Sequence, residues 1–188
     1  MHGKFIEKEI KYTGSELAPH WLYRNFNLQG DAIVGFIGEA EVKLTEMVDV
    51  LDVMTQRPIY SKSMLNFIVE HFNATLIEGA LRQRLLIHIA REVILSFMPK
   101  GTVIKRYGDD LFYEGGKLSV SIATKSMTSV LIHVGINITA EGAPVKASGL
   151  ESEMLLKNLA EIAQNIINNY CLECEQILSA TCKVRGVF

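Results

Sequence analysis

From Ser129 to Ile138 the chain reads Ser-Val-Leu-Ile-His-Val-Gly-Ile-Asn-Ile, ten residues without an Asp, Glu, Lys or Arg. A run with no charged side chain to turn toward water reads as a strand covered on both faces. It predicts a central strand, and a central strand requires neighbours beside it and helices over it.

Phe5–Tyr12, Asp31–Gly38 and Ala40–Leu44 are strand-like, and the glycines among them mark bulges or close backbone approaches. Val48–Met54 is expected to continue the sheet. Leu17, Trp21, Leu22 and Phe26 recur at roughly helical spacing, which makes Ser15–Phe26 a short helix or turn. Ser61 or Ser63 can cap a helix whose inner face is Leu65, Ile68, Val69 and Phe72. A longer helix is expected from Thr75 to Phe97, burying Leu81, Leu85, Ile89, Val93 and Phe97, with Glu78 and Arg82 paired on its surface and Pro99-Lys100-Gly101 ending it. Ser148 followed by Glu151 reads as a capping box for a last helix over Leu150–Leu178. Its stripe is Leu155, Leu159, Ile162, Ile166, Tyr170, Cys174 and Ile177. These elements predict one α/β (α+β) domain over residues 1–188, a predominantly antiparallel sheet covered by helices.

A formal charge of −2 and the lack of a Lys/Arg block argue against a broad grip on nucleic acid. Charges interrupt the other apolar segments and the N-terminus lacks a signal-peptide pattern, so a cytoplasmic protein with no membrane association is expected. With 48% hydrophobic residues, a homodimer or larger homo-oligomer is expected as well. Cys171 and Cys174 form a C-x-x-C inside an apolar-periodic helix, where core packing outweighs redox or zinc chemistry.

The chemistry concentrates in Arg106-Tyr107-Gly108-Asp109-Asp110, which leads into Leu111-Phe112-Tyr113-Glu114-Gly115-Gly116-Lys117. A basic residue, adjacent carboxylates and a second basic residue across a tight hairpin can together grip a small phosphorylated ligand. The same residues can also form a solvated hairpin turning at Gly115-Gly116. Arg57, with Arg82, Arg84, Lys105 and Arg106, is a candidate positive wall for an anion. Asn137 interrupts the apolar strand, where it can bond a ligand or pin a loop. His133 lies in that strand and reads as a satisfied core histidine. His20-Trp21 reads as a core anchor, and His71 lacks the partners of a metal set.

This stretch resembles the catalytic domain of biotin protein ligases and lipoate ligases. The biotin ligase motif Lys-Trp-Pro-Asn-Asp precedes a short hairpin and a lysine; here Arg106-Tyr107-Gly108-Asp109-Asp110 is followed seven residues later by Lys117, with Lys105 an alternative match for the motif lysine. Val134-Gly135-Ile136-Asn137-Ile138 is similar to the family's Gly-Ile-Asn-Val strand. Over its full length the chain also resembles an uncharacterised archaeal family, a domain of unknown function, through Ala18-Pro19-His20-Trp21, Met47-Val48-Asp49 and Met64–Phe72.

The ligase resemblance implies a biotin-ligase-like sheet, shared with class II aminoacyl-tRNA synthetases. ATP and magnesium are the candidate cofactors, and a small carboxylate or a nucleotide the candidate partner. It implies Lys117 as catalytic and cofactor-binding residue and Asp110 at the nucleotide end; Arg106 and Asp110, with Arg57 and Asn137 from the reading of the residues themselves, are the candidates around the substrate. The sequence departs from the family at two places. The Gly-Arg-Gly-Arg loop is replaced by Gln56-Arg57-Pro58-Ile59-Tyr60, and Val120 stands where a glycine borders the ligand. Two readings follow: a non-catalytic small-ligand-binding module on this scaffold, or an ATP-dependent ligase or transferase that activates a small carboxylic acid as an acyl-adenylate.

Overall fold

The computed structural model describes residues 1–187. In chain order the elements are β1 (His2–Ile6), α1 (Trp21–Phe26), β2 (Ala32–Val42), α2 (Val50–Met54), β3 (Ile59–Phe72), α3 (Leu76–Ser96), β4 (Ile104–Tyr107), β5 (Asp110–Tyr113), β6 (Gly116–Lys117), β7 (Ser119–Lys125), β8 (Ser129–Asn137) and α4 (Leu159–Cys182). Five strands form the main sheet in the order β1-β2-β3-β8-β7, parallel between β1 and β2 and antiparallel elsewhere. The charge-free run is β8, buried throughout between β3 and β7 as its composition requires.

Side-chain alternation gives the sheet two different faces. Leu65, Phe67 and Val69 of β3 and Ile132, Val134 and Ile136 of β8 join Leu86, Ala90 and Ile94 of α3 and Ile162, Ile166 and Tyr170 of α4 in one core. On the opposite face Phe36, Met64 and Ile68 pack with Tyr12 and Leu22 of the N-terminal segment. Glycines allow close layers at particular points: a Cβ on Gly79 would come within 2.3 Å of Val130 Cγ1, so α3 can lie directly on the start of β8.

Thr75 and Glu78 form a reciprocal capping box, which fixes the start of α3. Of the expected stripe of α3, Ile89 and Val93 are buried and Leu85 and Phe97 pack against the core, whereas Leu81 is exposed; Gly79, Gln83, Leu86, Ala90 and Ile94 face inward as well. Gly79 and Gln83 are not apolar, so a purely hydrophobic period passes over them.

Three expected elements take another form. Residues 61–72 belong to β3, because an apolar run with Phe, Ile and Val at both parities also satisfies a strand buried on two faces, and β2 and β8 pair with it along its length. Val50–Met54 is helical, capped by Asp49, whose Oδ1 accepts from Leu51 N at 2.8 Å and Asp52 N at 3.2 Å. Ser148 caps no helix; its hydroxyl donates to Tyr113 O, Leu155 is left-handed at φ 58°, and α4 starts only after Asn158. The expected Phe5–Tyr12 strand is split: β1 ends at Ile6, and Ile10 and Tyr12 bond Ile37 and Glu39 beside a bulge of β2. No helix among the described residues is long and apolar enough to cross a membrane.

Candidate functional site

The hairpin that carries the sequence motif forms a small second sheet, β4-β5-β6. It turns at Glu114-Gly115, both at positive φ (48° and 77°), so Gly116 already belongs to β6 and the Gly115-Gly116 turn is shifted by one residue. Gly116 is required for another reason: a Cβ there would lie 2.6 Å from Ala147 O, where the 146–148 segment crosses. That crossing anchors the next residue. Lys117 N donates to Lys146 O at 2.9 Å, Lys117 O accepts from Ser148 N at 3.0 Å, and Asn137 Nδ2 donates to the same carbonyl at 3.2 Å. Lys117 is thus held by its backbone while its ammonium reaches Asp110 Oδ2 at 2.9 Å.

This ion pair is about three-quarters withdrawn from solvent at Asp110, which is 25% exposed. Burial pushes the Asp110 carboxyl above its ordinary pKa, and the Lys117 bond pulls the other way without cancelling the rise; Asp109 and Asp52 add to it. Two adjoining cavity halves meet here and share Asp52, Arg57, Ile59, Lys117 and Val120. The narrow half, about 290 Å³, reaches back to Tyr12 and His133. The wide half, about 640 Å³, extends to Met64, Asn137 and the 143–147 segment.

On the floor of the narrow half, Asn66 Nδ2 donates to Met64 O, which turns Asn66 Oδ1 toward His133 Nε2 at 3.0 Å. His133 therefore carries its proton on Nε2, and burial pushes its pKa down to about 3, so the ring is neutral. Tyr12 stacks on it with ring centroids 3.8 Å apart. Deeper on the same face, a Cβ at Gly135 would lie 2.2 Å from Met64 Sδ; the methionine fills the space that the glycine leaves over β8.

Lys117, Asp110, Arg57, Asn137 and Val120 therefore border one cleft. Arg106 does not join them: its Nη1 donates to Gly108 O, and the side chain lines an outer depression with His88 and Arg91. Nor does the positive wall assemble, since Arg82 lies 3.6 Å from Asp31, Arg84 is 3.9 Å from Asp109, and Lys105 faces the outer depressions. Asn137 pins the Lys117 backbone, the loop-holding role that its place in the strand had left open. His71 is a buried clamp, Nδ1 to Asp31 Oδ2 at 2.8 Å and Nε2 to Tyr170 OH at 2.9 Å. Cys174 is buried in the helix-side core with Cys171 packed against it. Sequence reading missed Glu46, Asp49 and Asp52 because it placed them by a strand that is a helix; the Asp49 cap was the available signal. It also missed Tyr12 and Lys146, which tertiary contacts alone bring to the cleft.

The family described as Domain of unknown function (DUF366) matches residues 1–185. An uncharacterised protein of Methanocaldococcus jannaschii is 41% identical over 179 residues, covering 92% of this chain and 79% of its own. A protein of unknown function from Pyrococcus horikoshi superposes with a TM-score of 0.92 at 35% identity, over 100% of this chain and 99% of its own. The biotin protein ligase of Aquifex aeolicus in complex with biotin and ATP superposes with a TM-score of 0.59 at 15% identity, over 92% of this chain and 71% of its own. At that identity the likeness is one of fold: a mixed, mostly antiparallel sheet covered by helices, as in the catalytic domains of biotin and lipoate ligases.

Proposed function

The chain belongs to the DUF366 family, and we propose that it is a small-ligand-binding module on a ligase-like scaffold, with the ligand in the cleft around Lys117. One observation carries this reading. Lys117 is fixed by three backbone contacts at the junction of two cavity halves, so its ammonium is presented at little conformational cost. The ligase-fold structures that hold biotin, ATP or lipoic acid support a small molecule as the occupant. Arg57 and Asn137 border the same space, and Asp110 orients the ammonium.

The non-catalytic form is favoured by what fills the site. Met64 occupies the space over Gly135, Val120 lies between the two halves, and Gln56-Arg57-Pro58 replaces the glycine-rich loop. The alternative, an ATP-dependent ligase or transferase that activates a small carboxylic acid, is supported by the Asp110-to-Lys117 spacing on a rigid hairpin. The five carboxylates of the narrow half repel a polyphosphate there, so the phosphates of ATP would be met by Arg57, Lys117 and Lys146 of the wide half, and magnesium would be carried by those phosphates with one or two of the carboxylates. We place the protein in the cytoplasm as a self-associating single domain.

The experiment is titration calorimetry of the whole chain with small carboxylates, amino acids and ATP, alongside pyrophosphate exchange. Binding that Lys117→Met weakens, without exchange, supports the module. Exchange that depends on Lys117 supports the ligase. No binding by any compound removes both.

A further inference from the structure

The two halves of the cleft carry opposite charge. Glu46, Asp49, Asp52, Asp109 and Asp110 line the narrow half against Arg57 and Lys117, whereas the wide half has Arg57, Lys117 and Lys146 against Asp52 alone. Most of those carboxylates are committed. Asp110 holds Lys117, Asp109 accepts from Gln83 at 2.9 Å, and Asp49 caps α2. The side chains of Glu46 and Asp52 have no hydrogen-bond or ion-pair partner among the described residues, so two carboxylates are left facing the space, Glu46 exposed and Asp52 half-buried.

Two independent groups point the same way. Tyr12 is only 3% exposed, and its hydroxyl bonds no described residue. No sealed side-chain nitrogen or oxygen among the described residues lacks a partner, so that hydroxyl is not sealed, and Tyr12 lines the narrow half. His133, 1% exposed, spends its Nε2 proton on Asn66, its Nδ1 bonds no described residue, and the residue lines the same half of the cleft. Asp52, the Tyr12 oxygen and His133 Nδ1 all have acceptor capacity, and a primary ammonium supplies three donors and a positive charge. A carboxylate or phosphate supplies neither. The carboxylates do not converge on one point, so they suit an organic cation better than a metal ion.

We infer that the cleft takes a small amphoteric molecule, with its protonated amine in the narrow half against Asp52 and its acidic group in the wide half beside Arg57, Lys117 and Lys146. This names the ligand class of the proposed site and rests on that site being one.

The test is calorimetry of the full chain at neutral pH with linear amino acids of roughly four to eight carbons. The matched acids without the amine, the N-acetyl derivatives and the matched diamines complete the panel. The amino acids are expected to bind about tenfold or more tighter than their N-acetyl forms. Asp52→Asn, and independently Glu46→Gln, should shrink that gap without abolishing residual acid binding. Equal binding of the amine-free acids overturns the inference and leaves the ligand site standing. Diamines that bind as well as the amino acids overturn the place given to the acidic group. No binding by any compound up to on the order of 10 mM overturns the inference and the ligand site together.

Discussion

The ammonium of Lys117 lies 2.9 Å from Asp110 Oδ2, where the narrow and wide halves of the cleft meet. The pair sets the local balance of charge: Asp110 neutralises Lys117 toward the acidic half and leaves the ammonium free to meet an anion from the other side.

The cost of holding the Asp110 carboxylate can be read from pH. Burial raises its folded pKa above the ordinary 3.8, so the folded state binds the proton more tightly than the unfolded chain. Its contribution to stability is full below that ordinary value and is lost as pH rises through the folded value. The stability of the native chain relative to Asp110→Asn should therefore fall across that acidic window in urea denaturation. A difference that grows with pH contradicts the assignment.

Asp31 carries the opposite sign. Burial pushes its pKa up, but the His71 bond, the Phe72 amide and nearby Arg82 together hold it below the ordinary value. Its contribution is present above the ordinary pKa and is lost as pH falls through the lowered one. Asp31→Asn should cost about 1–2 kcal/mol at neutral pH. That loss should vanish in acid, where the native chain has given up the same interaction. A penalty that does not change with pH points to packing instead.

Met64 and Gly135 form a single packing unit. Gly135→Ala drives a Cβ toward Met64 Sδ and should cost about 1–3 kcal/mol, although the flexible thioether can yield part of the way. Met64→Ala leaves a cavity and should cost about 2–4 kcal/mol. The double variant should be less destabilised than the sum, since each change accommodates the other. Strict additivity in thermal and urea unfolding means that the two do not share this space.

Much of the framework was legible because local signals and burial agreed. The charge-free run became β8, the helix expected from Thr75 formed as α3, and the hairpin followed its spacing. β3 was misread because period alone cannot separate a strand buried on both faces from a helix, and Ser61 supplied a false cap. The helix α4 was started too early because Ser148 and Glu151 match a capping box, whereas the chain passes so close to β8 at Gly149 that a Cβ there would lie 2.5 Å from Ile138 O, and it turns before the helix begins. The Lys117–Asp110–Asn137 group was visible in sequence because one hairpin and one strand carry it. The acidic side was not, since Asp52, Tyr12 and His133 come from three segments that only the folded sheet brings together.

The surface of α2 is apolar and uncovered. This five-residue helix buries no side chain and leaves Val50, Leu51 and Met54 at 70%, 66% and 76% exposed beside the cleft. Apolar groups clustered on so short an element gain by covering one another in a second copy. Light scattering over a concentration series should give a mass near twice the 21.0 kDa chain. Leu51→Glu with Met54→Glu should return it to the monomer without loss of thermal stability, because neither side chain packs in the core. A single-chain mass at every concentration removes self-association. A dimer that survives both substitutions moves the interface away from α2.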